Sequence, residues 1–162
     1  MTVAATTDED ERWLAEAITL ATANVAAGGG PFGAVVVRDG RVDVPRDPVL
    51  PPAQHPTAHA EIEAIRAACR ATGDFALAGA TVYSSCEPCP LCLTACLWAH
   101  VGRVVYAANR DDAARAGFDD REFYELLAHD RSTWPMPVLE RRVAGADAPM
   151  RAWLAFEERV AY

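Results

Sequence analysis

The sequence predicts an α/β layered fold, and three observations carry that expectation. Short valine-rich runs alternate along the chain with helical stripes, the pattern of strands interleaved with helices. Glycines and prolines punctuate the joints between them. The chain has 162 residues, a length that fits one domain with a sizeable core.

Taken in order, residues 8–26 place Leu14, Ile18, Ala21 and Val25 on one helical stripe, closed by Gly28-Gly29-Gly30. "FGAVVVRDG" reads as a strand running into an Asp-Gly turn, with a partner at Arg41–Val44. Five prolines between Pro45 and Pro56 make that stretch a loop. A helix follows from about residue 58 to Thr72, stopped by Gly73. "GATVYSS" is the next strand, then a helix at about 89–99 and a strand at "RVVYAAN". "DREFYELLAH" reads as a helix, "MPVLERRV" as a strand and "APMRAWLAFEERV" as a final helix. Trp98, Phe123 and Trp153 fit the apolar faces of their helices and are read as core.

A net charge of -8 argues against a broad phosphate-binding surface, and so against nucleic acid as a partner. "TTDEDER" puts acids where a secretory leader carries basic residues, and no apolar run approaches the roughly 18 residues of a membrane span. The expected location is the cytoplasm. There, four cysteines within eleven residues, Cys86, Cys89, Cys92 and Cys96, point to metal or thiol chemistry before disulfides.

Two short stretches carry the chemistry. "TAHAEIEAIRAACR" opens a helix with His59 and Glu61, and "CEPCPLCLTAC" opens another with Cys89 and Cys92. Three residues apart on a helix, the two cysteines are neighbours. A helix start favours negative charge and lowers a thiol pKa, and the thiolate is the form that binds metal. One imidazole and two thiolates make three ligands, the number a catalytic zinc takes while keeping a position for water. Glu61 is then the carboxylate that moves protons. The pattern H-x-E, 26 residues, P-C-x-x-C is the zinc deaminase signature. Alone, His59 would read as a helix cap and Glu61 as a solvated acid, while Cys89 and Cys92 would also suit a redox pair. Cys69, Cys86 and Cys96 are read as core or near-site residues, and His55, His100 and His129 as non-ligands. Asp119-Asp120 reads locally as an N-cap for "REFYELL".

With these residues in view, the chain resembles the cytidine-deaminase-like superfamily, and more narrowly the bacterial guanine deaminases of that fold. "GGGPFGAVVVRDG", "PTAHAEIEAIRAAC", "YSSCEPCPLC", "AARAGFDD" and the closing "AY" carry the likeness. It implies a three-layer α/β/α sandwich around a five-stranded mixed sheet, as a single zinc-dependent deaminase domain over residues 1–162. It implies zinc on His59, Cys89 and Cys92, with Glu61 as proton shuttle. It further implies a homodimer whose C-terminal segments swap, so that Tyr162 reaches a neighbour's pocket. Asp120 would contact the substrate amino group, and Phe32 and Trp98 would pack against the base. One place departs from the pattern. Where the family has a base-binding asparagine, counting back from His59, this chain has Pro48. Proline offers no amide and no donor, which removes a partner worth about 1–3 kcal/mol to a buried polar group.

The expected reaction is hydrolytic deamination of a small aminated heterocycle, guanine to xanthine and ammonia. The alternatives are another substrate (guanosine, cytosine, an amino-triazine or a pterin), a tRNA adenosine deaminase, and a non-enzymatic zinc-binding module.

Overall fold

The computed structural model describes residues 7–42 and 55–160. Pro48 and Tyr162 lie outside them. Helix α1 spans Asp8–Ala26. It starts where it does because Thr7 and Asp10 cap each other reciprocally, and four acids fill the first turn, where the helix dipole favours them. Its buried stripe is Asp10, Trp13, Ala17, Ala21 and Asn24. Only Ala21 of the apolar stripe expected from sequence is among them, and Ile18 and Val25 are exposed. Close approach decided this. A Cβ on Gly33 would sit 2.4 Å from the Ala17 carbonyl oxygen, so the middle of α1 lies against the chain with the small Ala17 and Ala21 inward, while Trp13 packs on the sheet nearer the start of the helix.

Strand β1 (Ala34–Arg38) turns at Asp39-Gly40, both with positive φ, into the short β2 (Arg41–Val42). β3 (Thr81–Cys86) pairs antiparallel with β1, and β4 (Arg103–Ala108) pairs parallel with β3. The sheet of the described residues is therefore mixed, in the order β2-β1-β3-β4. It has four strands where five were expected.

Helices cover both faces. Val36 and Val82 pack with Ala60, Ala64, Ile65 and Ala68 of α2 (Ala60–Thr72) and with Cys96 of α3 (Pro90–Trp98). On the other face Val35, Val37, Tyr83 and Val105 pack with Trp13 of α1. Buried there is Asp10, only 1% exposed. Both guanidinium nitrogens of Arg103 donate to its carboxylate at 2.8 and 2.9 Å, and the Tyr83 hydroxyl donates at 2.8 Å. The Arg103 hydrogen bonds hold the Asp10 carboxyl well below the ordinary range, while burial first and Asp10 second push the Tyr83 phenol up to about 12.

After β4 comes α4 (Arg110–Arg115), a helix not expected from sequence, capped by Asn109 and Asp112. α5 (Arg121–Ala128) follows, near the boundary between two compact units, residues 1–122 and 123–162. The second unit has its own order. The Trp134 indole donates to the Leu126 carbonyl after a 3-10 turn at Arg131–Thr133, and α6 spans Ala148–Ala155.

Two expectations fail here. No strand forms at Met136–Val143, where Pro137 lacks a donor and every side chain is exposed. Phe123 and Trp153 are exposed, because neither α5 nor α6 buries a residue. Trp98 is 63% exposed, because α3 turns Cys92 and Cys96 inward and carries Trp98 to the other side. No helix of the described residues is long and apolar enough to cross a membrane.

Candidate active site

The site forms where α2 and α3 begin. His59 is the N-cap of α2 and Cys89 the N-cap of α3, both with extended backbone. Neither is inside the first turn, as the sequence suggested for both. Capping side chains ordinarily accept a hydrogen bond from their own helix. Neither of these does, and both reach the same point instead. Pro90 at the first position of α3 fixes the backbone there without wasting a donor. Cys92, one turn on, is buried. The two helix starts thus converge, and their dipoles favour the negative charge of two thiolates.

The donor atoms make a small triangle. His59 Nδ1 lies 3.4 Å from each sulfur, and the sulfurs are 3.6 Å apart. A tetrahedral zinc with Zn–S of roughly 2.3 Å and Zn–N of roughly 2.05 Å would need edges of about 3.6 Å and 3.8 Å. The donor set therefore fits zinc in kind, number and spacing. Among the described residues it is the one group of three or more such side chains placed to hold a metal. Cys69, Cys86, Cys96, His55, His100 and His129 are described and stand outside it.

The thiols are unequal. The hydrogen bond between the two sulfurs and another with His59 draw the Cys89 thiol well below its ordinary value. Cys92 is pushed far up, first by that same hydrogen bond, then by burial and by Glu61. The hydrogen bond to Cys89 in turn raises His59. Two thiolates this close repel each other, and a cation held between them would offset that repulsion.

Glu61 lies in the first turn of α2 and is 5% exposed. Its Oε2 accepts from Cys92 at 3.3 Å, which sets it beside the donors without joining them. Its Oε1 accepts from the Ser84 hydroxyl at 2.8 Å. A buried carboxylate aimed at a metal cluster can exchange protons with whatever stands there.

The other expected residues separate. Phe32 packs on the α2–α3 side of the sheet, with Phe118 edge-on at 5.0 Å. The half-buried Asp120 has its carboxyl raised, first by burial and then by the negative charge of Cys89. Asp119 does cap locally, accepting from the Arg121 amide. Trp98 is exposed at the end of α3.

Sequence reading missed three supports. Ser84 is the first. Ser85 is the second, bonding Gly33 through both its backbone amide and its hydroxyl. The Glu87–Arg110 ion pair is the third; it ties the loop before Cys89 to the start of α4. The signal for Ser84 was present: it follows Val82 by two, so a hydroxyl sits on a strand face that is otherwise apolar core.

Residues 7–108 match the family described as the cytidine and deoxycytidylate deaminase zinc-binding region. Guanine deaminase of Bacillus subtilis (strain 168) is 41% identical over 153 residues, covering 94% of this chain and 98% of that protein. A solved structure of guanine deaminase from Bacillus subtilis aligns with a TM-score of 0.86 at 42% identity, over 94% of this chain and 98% of the other. The tRNA-specific adenosine deaminase of Bacillus subtilis (strain 168) is 38% identical over 100 residues, 62% of each chain. With one match running through both helix starts and another along nearly the whole length, this chain belongs to the cytidine and deoxycytidylate deaminase family.

Proposed function

We propose that this protein is a zinc-dependent aminohydrolase that converts guanine and water to xanthine and ammonia. The observation that carries the reading is Glu61: a buried carboxylate that touches the donor triangle and stands outside it. A structural zinc site has no use for such a group. Guanine is favoured among bases by the match to guanine deaminase along nearly the whole chain, where the tRNA-specific relative matches 62% of it. The net charge of -8 points the same way, away from a polyanionic substrate.

His59, Cys89 and Cys92 would hold the zinc. When bound there, it supplies a Lewis acid that brings the pKa of a water from about 15.7 to about 7. Glu61 takes the proton of that water on the oxygen facing the cluster, passes it to ring nitrogen 3, and carries a second to the departing amine. Asp120 accepts from the amino group of the base and so turns it toward Glu61. Phe32 packs against one face of the ring and Trp98 borders it.

The same reading takes in the assembly. A second copy completes the pocket with Tyr162, through exchanged C-terminal segments. Support comes from residues 123–160, where Leu139, Val143, Met150, Leu154, Phe156 and Val160 are all exposed. Five free cysteines suit the reducing cytoplasm.

The deciding experiment is ammonia release by zinc-loaded protein on guanine, guanosine, cytosine, cytidine, adenine and amino-triazines, with Glu61→Ala alongside. Guanine is expected to be selected, and Glu61→Ala to keep its zinc and lose turnover by at least about 100-fold. Turnover of another base alone would end the guanine assignment, and full activity in Glu61→Ala would end the role of Glu61.

A further inference from the structure

We infer that Ser84 is a positioning residue for Glu61, fixing one carboxylate oxygen so that the other is presented to the reacting centre. The inference rests on Glu61 being the proton carrier.

Ser84 lies in the middle of β3, 1% exposed, with its hydroxyl donating to Glu61 Oε1 at 2.8 Å. A longer contact from the Cys86 amide, 3.4 Å, reaches the same hydroxyl oxygen. That amide takes up acceptor capacity on the oxygen and leaves its single proton for the carboxylate. Glu61 Oε2 meets Cys92 at 3.3 Å, so the two oxygens have different neighbours and different work. The one held by Ser84 anchors the group and the one beside the donors exchanges protons.

The strand supplies the rigidity. β3 is central in the sheet, paired with β1 on one side and β4 on the other, so Ser84 has little freedom to follow a moving side chain. Glu61, in contrast, projects from the first turn of α2 with rotatable bonds of its own. Without the hydroxyl, Oε1 would be left in a buried place with no donor, and the carboxylate would swing to find one. Proton transfer is sensitive to such a displacement, because a misplacement of about 1 Å costs on the order of 100-fold.

The experiment compares Ser84→Ala and Ser84→Thr with the unsubstituted protein, reading kcat, KM, zinc content and the circular dichroism spectrum. The substrate is whichever base of the panel above the unsubstituted protein turns over. A failure on guanine thus counts against the guanine assignment and leaves this comparison intact. Ser84→Ala is expected to lower kcat roughly 10- to 100-fold. Its KM is expected within about twofold of the unsubstituted value, with zinc retained, since only the ground-state contacts survive unchanged. Ser84→Thr, which keeps the hydroxyl, is expected to recover most of the rate.

A second arm needs no substrate. Urea midpoints of Ser84→Ala, Glu61→Ala and the double variant are expected to be non-additive, as for side chains in contact. Additive midpoints overturn the inference. So does a kcat for Ser84→Ala within twofold of the unsubstituted protein, or a rise in KM alone. Loss of zinc or of the folded state in Ser84→Ala overturns it too, since the hydroxyl would then be serving the donors or the core.

Discussion

Two residues at helix starts, His59 and Cys89, make no side-chain capping bond and instead meet across a gap. His59 and Cys89 hold N-cap positions with extended backbone, and that conformation throws their side chains off the helix axis toward each other. Cys92, one turn into α3, completes the triangle. A three-donor site of this kind loses most of its affinity with any one donor. His59→Ala and Cys92→Ala are each expected to bring zinc well below one per chain by atomic emission, while Cys86→Ala and Cys96→Ala keep it. Retained zinc in His59→Ala would contradict the assignment. At this scale the sequence was highly legible, because the chemistry needs particular side chains at fixed spacings. Ser84 was less legible: a serine in a strand has no motif, and its role depends on an α2 side chain 23 residues away in the chain.

Among the elements, α1 shows best how packing overrides pattern. The periodicity pointed to Ile18 and Val25, yet the buried face carries Asp10, Ala17 and Asn24. Close contact between α1 and the loop before β1 selects small side chains, and Arg103 of β4 makes a buried carboxylate tolerable. Breaking a buried pair costs more than making it gains. With its guanidinium one-third exposed, Arg103→Ala is expected to cost about 2–3 kcal/mol by urea denaturation at pH 7, below the fully buried range. The sign with pH follows from the lowered carboxyl of Asp10. Its contribution is complete above the unfolded value of about 3.9 and is lost as pH falls from there toward the folded value. Asp10→Asn is therefore expected to flatten the loss of stability below about pH 4, and an unchanged acid profile would remove Asp10 as its source.

At the scale of the whole molecule, the two compact units differ in kind. Residues 1–122 bury a core on each face of a sheet, whereas no helix of the second unit buries a residue. Apolar side chains left open over such a stretch call for a partner. Sedimentation velocity at micromolar concentration is expected to give twice the 17.4 kDa of one chain. A lone monomer would count against the exchanged C-terminus and against Tyr162 as part of a neighbour's pocket.

By itself the sequence determined the alternation of strands and helices, the donors His59, Cys89 and Cys92, and the placing of Glu61 beside them. Those depend on local periods, on turn chemistry at Asp39-Gly40 and on fixed spacings, all of which are written in neighbouring residues. Tertiary structure decided which face of α1 is buried and that Met136–Val143 forms no strand. It also decided that two of the three donors, His59 and Cys89, are helix caps, and that Ser84 meets Glu61. Each of these turns on a surface brought from elsewhere in the chain, and burial, unlike spacing, belongs to both surfaces at once.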